Sequence, residues 1–87
     1  MENLKVSSKS DPKLVAGAIA KQFENGAQTV ELHMIGAGAV NQAAKSIIIA
    51  SSYVASSGIS LITTMGFLVA DVAGESRTGI KFIVSKR

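Results

Sequence analysis

Eighty-seven residues, 47% of them apolar and 17% charged, suit one small domain, taken as residues 1–87. A chain of that length buries about 60–65% of the surface its unfolded form exposes. Zero Cys excludes a disulfide framework, a thiolate metal site and a Cys nucleophile, and a single His excludes a metal site built from several imidazoles. Nine Lys and Arg against six Asp and Glu leave a net charge of +3, mildly basic and far from a histone-like tail.

Met1–Ser10 carries Glu2, Lys5 and Lys9 and lacks the apolar core of a signal peptide. Asn3–Ser8 alternates, with Leu4 and Val6 on one side, and predicts a strand with one buried face. Ser10-Asp11-Pro12 reads as a helix start, a capping side chain followed by Pro where its missing N–H costs nothing. Leu14, Val15, Ala18, Ile19 and Phe23 then fall at helical spacing, and Asn25-Gly26 closes a helix over about Pro12–Glu24.

Val30, Leu32 and Met34 alternate with Thr29, Glu31 and His33 in a second strand. Gly36-Ala37-Gly38 turns into a second helix, roughly Ala39–Ala55, with a stripe of Val40, Ala43, Ala44, Ile47, Ile48 and Val54. The β-branched run Ile47-Ile48-Ile49 is a weak helix former that persists only when buried. Three consecutive residues cannot all face one sheet, so Ile49, with Tyr53 nearby, is expected to meet a partner chain. Ile59–Val72 is β-rich, with a bulge or bend expected at Gly66, and Ala73–Ser76 turns into a last strand over Thr78–Ser85. The Lys86-Arg87 tail is expected to be solvated.

The uncharged stretch Ser46–Ala70 is long enough to span a bilayer. Ser and Thr residues, Gly58 and Gly66 interrupt it, which suits two shorter elements. A cytoplasmic protein with no membrane partner is the expectation. The order β-α-β-α-β-β predicts an α/β fold of two layers (α+β), two helices on one face of a four-stranded mixed sheet. Right-handed crossovers make the first three strands parallel, and the final hairpin reverses the fourth. The other sheet face stays open and carries Lys5, Glu31, His33 and Lys81. Exposed apolar surface on so small a chain points to a homodimer or higher homo-oligomer.

Little here favours catalysis. Gly36-x-Gly38-x-x-Asn41 lacks the third small residue of a dinucleotide fingerprint, and no acid lies between Glu31 and Asp71 to hold a ribose. What remains is either a tight strand-to-helix turn or a pair of glycines exposing amides to an anion at a helix start. His33 has only Glu31 as an acidic neighbour on its strand face and suits a solvated sheet position. No G-x-S-x-G elbow, carboxylate pair or ligand spacing appears. No enzyme, cofactor, metal site or small-molecule substrate is expected. Strand-to-helix turns of parallel strands share one sheet edge, which would place Lys9, Lys13 and the Gly36–Gln42 turn on one rim. Ser10, Asn41 and Gln42 supply side chains that commonly accompany Lys against phosphates, Lys45 follows one helical turn after Asn41, and Arg77 sits in the last hairpin. A solvated, charge-balanced surface is the competing reading of the same residues.

Four segments carry a resemblance across nearly the whole chain: Lys5-Val6-Ser7-x-Lys9-Ser10-x-Pro12, Val15-Ala16-Gly17-Ala18-Ile19-Ala20, Ile35-Gly36-Ala37-Gly38-Ala39-Val40-Asn41-Gln42-Ala43-x-Lys45, and Glu75-x-Arg77-Thr78-x-Ile80-Lys81. They resemble the stage V sporulation protein S family, small bacterial proteins named for a role in spore development. That resemblance implies an Alba-like fold, a dimer and binding of nucleic acid, DNA or RNA, through the phosphate backbone with little sequence specificity. It implies contacts from Lys9, Ser10 and Lys13 before and at the first helix, from Asn41, Gln42 and Lys45 on the second, and from Arg77. The chain departs from the family pattern at Ser51-Ser52, where a basic residue is usual, and at Ala55-Ser56 and Met65-Gly66-Phe67, where prolines are usual. A protein-interaction module that acts in development or sporulation without binding nucleic acid is the alternative.

Overall fold

The computed structural model describes residues 2–87; Met1 lies outside them. The chain runs β1 (Glu2–Val6), α1 (Pro12–Glu24), β2 (Thr29–Met34), α2 (Ala37–Ala55), β3 (Leu61–Val72) and β4 (Glu75–Lys86). One sheet of four strands has the order β1-β2-β4-β3. β1 and β2 pair in parallel, whereas β4 is antiparallel to both β2 and β3, so β1, β2 and β3 share one direction as expected.

The alternation of β2 buries Val30, Leu32 and Met34 under the helices, beside Phe82 and Val84 of β4. α1 begins where a side chain can satisfy its free amides: Asp11 Oδ1 accepts from the Lys13 N–H at 2.9 Å, and Pro12 follows. Its buried stripe is Ala16, Ile19, Ala20 and Phe23. Leu14, at 74% exposure, and Ala18 face outward, against the expected stripe. The small side of α1, Ala16 and Ala20, is the side turned inward, and α1 packs on α2, whose own buried positions are Ala39, Ala43, Ser46, Ala50 and Val54. The Ser46 hydroxyl is accommodated there by donating to the Gln42 carbonyl at 2.7 Å.

The isoleucine run resolves differently from expectation. Ile48 is the exposed member, at 71%, while Ile47 and Ile49 pack partly against the core. At 100° per residue, Ile47 and Ile49 flank the buried arc set by Ser46 and Ala50, which leaves Ile48 pointing away. Tyr53 is 44% exposed.

β1 ends at Val6 rather than Ser8, because the following residues hydrogen-bond among themselves. β3 starts at Leu61, two residues inside the β-rich pattern, whereas β4 is longer than its pattern, and the two form an unbroken ladder from Leu61–Lys86 to Val72–Glu75, with no bulge at Gly66. The hairpin turns on two residues, Ala73 (φ 53°) and Gly74 (φ 81°), whose positive φ angles match the twist of antiparallel strands. Lys86 belongs to β4 and its N–H donates to the Gln28 carbonyl; the Arg87 N–H donates to the Ser60 carbonyl, so the tail backbone is held rather than loose. The long hairpin stretches the fold to 42 × 22 × 17 Å.

The helices leave β3 uncovered. Met65 and Phe67 stand directly opposite Phe82 and Ile80, which places them on the helix-side face. They are nevertheless 74% and 80% exposed, and Val69 is 69% exposed.

Candidate nucleic-acid interface

Three chain segments converge at the carboxyl ends of β1, β2 and β3: the β1–α1 loop, the β2–α2 turn and the β3–β4 hairpin. The loop braces itself. The Ser7 N–H donates to Ser10 Oγ at 2.9 Å, the Ser10 N–H to the Ser7 carbonyl at 3.1 Å and the Lys9 N–H to Ser7 Oγ at 3.2 Å. Ser10 therefore uses its hydroxyl inside the loop, and Lys9 is carried outward at the top. Ser7 was not singled out from the sequence, although S-x-x-S before a helix is the pattern that forms such a brace.

The loop is tied to α2. Gln42 Nε2 donates to the Ser10 carbonyl at 3.0 Å, so this amide is a strut between the two segments. Gly38 lets them approach: a Cβ there would stand 2.9 Å from Ser8 Cβ. Gly36 is the N-cap of α2 at φ 95°, a backbone angle that favours glycine. The first turn of α2 carries no side-chain cap and no acidic residue. Its amides and the positive end of its dipole therefore point at the rim without internal compensation. α1, in contrast, is capped by Asp11.

Lys13 and Lys45 stand on opposite walls of a groove of about 290 Å³ between α1 and α2, with Asp11 and Pro12 on the α1 side and Ile48 and Ile49 below. Asn41 is exposed and precedes Lys45 by four residues, on the same helix face. A second groove, about 340 Å³, separates Gly36, Ala37 and Val40 from Phe67, Thr78 and Ile80. Arg77 reaches the same end of the sheet, but it pairs with Ala70 and alternates out of phase with Thr78, so it leaves the ladder on the opposite face. Lys9, Lys13, Gly36, Gly38, Asn41, Gln42 and Lys45 thus share one rim, and Arg77 lies round the edge from them.

Elsewhere, Ser51 and Ser52 turn back on their own helix, donating to the carbonyls of Ile47 (2.9 Å) and Ile49 (2.6 Å). His33 is less solvated than expected: its side chain is 21% exposed and Nε2 pairs with Glu31 Oε1 at 2.9 Å. Among the described residues, no group of three or more His, Cys, Asp or Glu gathers as a metal site would require, and no helix is long and apolar enough to cross a membrane.

A four-stranded mixed sheet with two helices on one face, in the order β-α-β-α-β-β, is an Alba-like fold. The structure of Alba from Thermoplasma volcanium is similar, with a TM-score of 0.64 over 98% of each chain and 12% identity. The sequence is more specific than the fold: the family model for stage V sporulation protein S (SpoVS) matches residues 2–87, and the chain belongs to that family.

Proposed function

We propose that this protein is a small non-catalytic regulator in sporulation that acts in the cytoplasm by gripping the phosphate backbone of nucleic acid. The observation that carries the reading is the groove between α1 and α2, where Lys13 and Lys45 face one another, on the rim that also bears the uncapped start of α2. A phosphate in that groove meets two ammonium groups, and the free amides at the start of α2, about two helical turns from Lys45, suit another phosphate of the same backbone. Lys9 and Asn41 extend the contact along the rim, and Arg77 supplies a further cation where the hairpin wraps the strand. Because these are backbone contacts, the binding discriminates little between sequences.

Fluorescence anisotropy with labelled duplex DNA and single-stranded RNA over a range of salt concentrations tests this. Four phosphate contacts, from Lys9, Lys13, Lys45 and Arg77, give a log–log salt slope of about −3.6 per protomer on duplex DNA. Replacing Lys13 and Lys45 together with Ala should lower affinity for all sequences alike and flatten the slope by about 1.8. An unchanged slope, or no binding at low salt, overturns the reading.

One observation supports a second reading, a self-associating interaction module. Met65, Phe67 and Val69 present an apolar strip on a strand that the helices do not cover, and Ile48 and Tyr53 add exposed apolar area on α2. A second copy of the chain is the natural cover for such a strip, and a dimer is compatible with the nucleic-acid reading because it doubles the number of rims.

A further inference from the structure

The face of the sheet away from the helices is not flat. The β3–β4 hairpin stands over the carboxyl ends of β1 and β2 and closes a cleft of about 420 Å³. That volume lies in the range typical of small-ligand sites. One end of the cleft is polar: Lys5 and His33, aligned side by side in the β1–β2 register, form it. The other end is apolar, walled by Ile35 and by Leu68, Ala70 and Val72 of the hairpin.

Three basic side chains line up on this face. Lys5, His33 and Lys81 occupy one row across three adjacent strands, with no acid in the row. Lys81 lies across Gly66, where a Cβ would be 3.4 Å from its Cε, which leaves Lys5 and His33 as the polar end. Glu31 engages Nε2 of His33 and so orients the ring, leaving Nδ1 as the nitrogen open to a ligand. Asp71 also borders the cleft, but it pairs with Ser76 and is out of phase with Ala70 and Val72, so its carboxylate leaves on the far face.

From this arrangement we infer that the cleft binds a small amphiphilic anion, a carboxylate or phosphate head on Lys5 and His33 with an apolar body against Ile35, Leu68 and Val72. The site is separate from the Lys13–Lys45 groove and does not depend on nucleic-acid binding.

Heteronuclear NMR titration of the full chain with sodium octanoate, octyl phosphate, inorganic phosphate and 1-octanol separates the contributions. At least one of the two amphiphilic anions should shift the resonances of Lys5, His33, Leu68 and Val72 and bind at least about tenfold more tightly than inorganic phosphate or octanol, the ratio expected when a charge-assisted contact and apolar burial act together. Which head group is preferred tells an acyl carboxylate from a phosphomonoester. Lys5→Ala, at an exposed position, should weaken binding by about tenfold, and Leu68→Asp should abolish it, while Lys13→Ala/Lys45→Ala leaves it unchanged. Absence of shifts at these four residues with both amphiphiles, equal affinity for octanol, or full binding by a folded Lys5→Ala protein overturns the inference. Loss of nucleic-acid binding with the cleft intact bears only on the rim.

Discussion

The same substitution at two glycines should move stability in opposite directions. Gly17 lies on the exposed side of α1, and a Cβ there meets nothing within 4 Å. Ala is the better helix former by about 0.8–1.0 kcal/mol, so Gly17→Ala should stabilise the fold by that amount. Gly79 is buried where β4 passes the end of β2, and a Cβ there would overlap the carbonyl oxygen of Met34 and stand 3.0 Å from Ile35 Cγ1. The obstacle is backbone, which no rotamer change relieves. β4 must move away from β2 near the Met34–Ile80 pair, at an overpacking cost of about 1–3 kcal/mol. For a domain of this size 1 kcal/mol corresponds to roughly 4–8 °C, so Gly17→Ala should raise Tm by about 3–8 °C and Gly79→Ala should lower it by roughly 5–20 °C. Calorimetric melts of the two variants and of the double variant measure this. The sites share no neighbours, so the changes should add within about 0.5 kcal/mol. A Gly79→Ala protein that melts at or above the parent temperature refutes the placement of β4 beside Met34, and with it the position of the hairpin relative to both the rim and the cleft.

The hairpin turn offers a second test. Ala73 holds φ 53°, a conformation that Asn tolerates better than Ala, so Ala73→Asn should stabilise the fold by about 0.5–1 kcal/mol, read from urea midpoints at constant m. Self-association through the uncovered strip should be lost in Met65→Ser/Phe67→Ser: sedimentation equilibrium should show an oligomer for the parent chain and a monomer for the variant, and a monomeric parent removes that interface.

The order of elements, the directions of the strands and the buried faces of β1 and β2 were written in the sequence. Alternation in Val30–Met34 and the Asp11-Pro12 start are local signals, set by the pleat and by capping, and they hold whatever packs on them. Rim membership was legible too, because parallel strands must turn at the same edge. Side-chain roles were not. Ser10 and Gln42 look like free phosphate partners in the sequence, and the fold spends them on bracing the loop against α2. Ile49 and Ile48 exchange places because the phase of α2 follows its small buried residues, which depends on how closely α1 approaches. The cleft beside Lys5 and His33 has no sequence signature at all. It exists because β4 inserts between β2 and β3 and the twelve-residue strands carry the hairpin past the ends of β1 and β2. Residues 5, 33 and 68 become neighbours only through that long-range pairing, which no local pattern encodes.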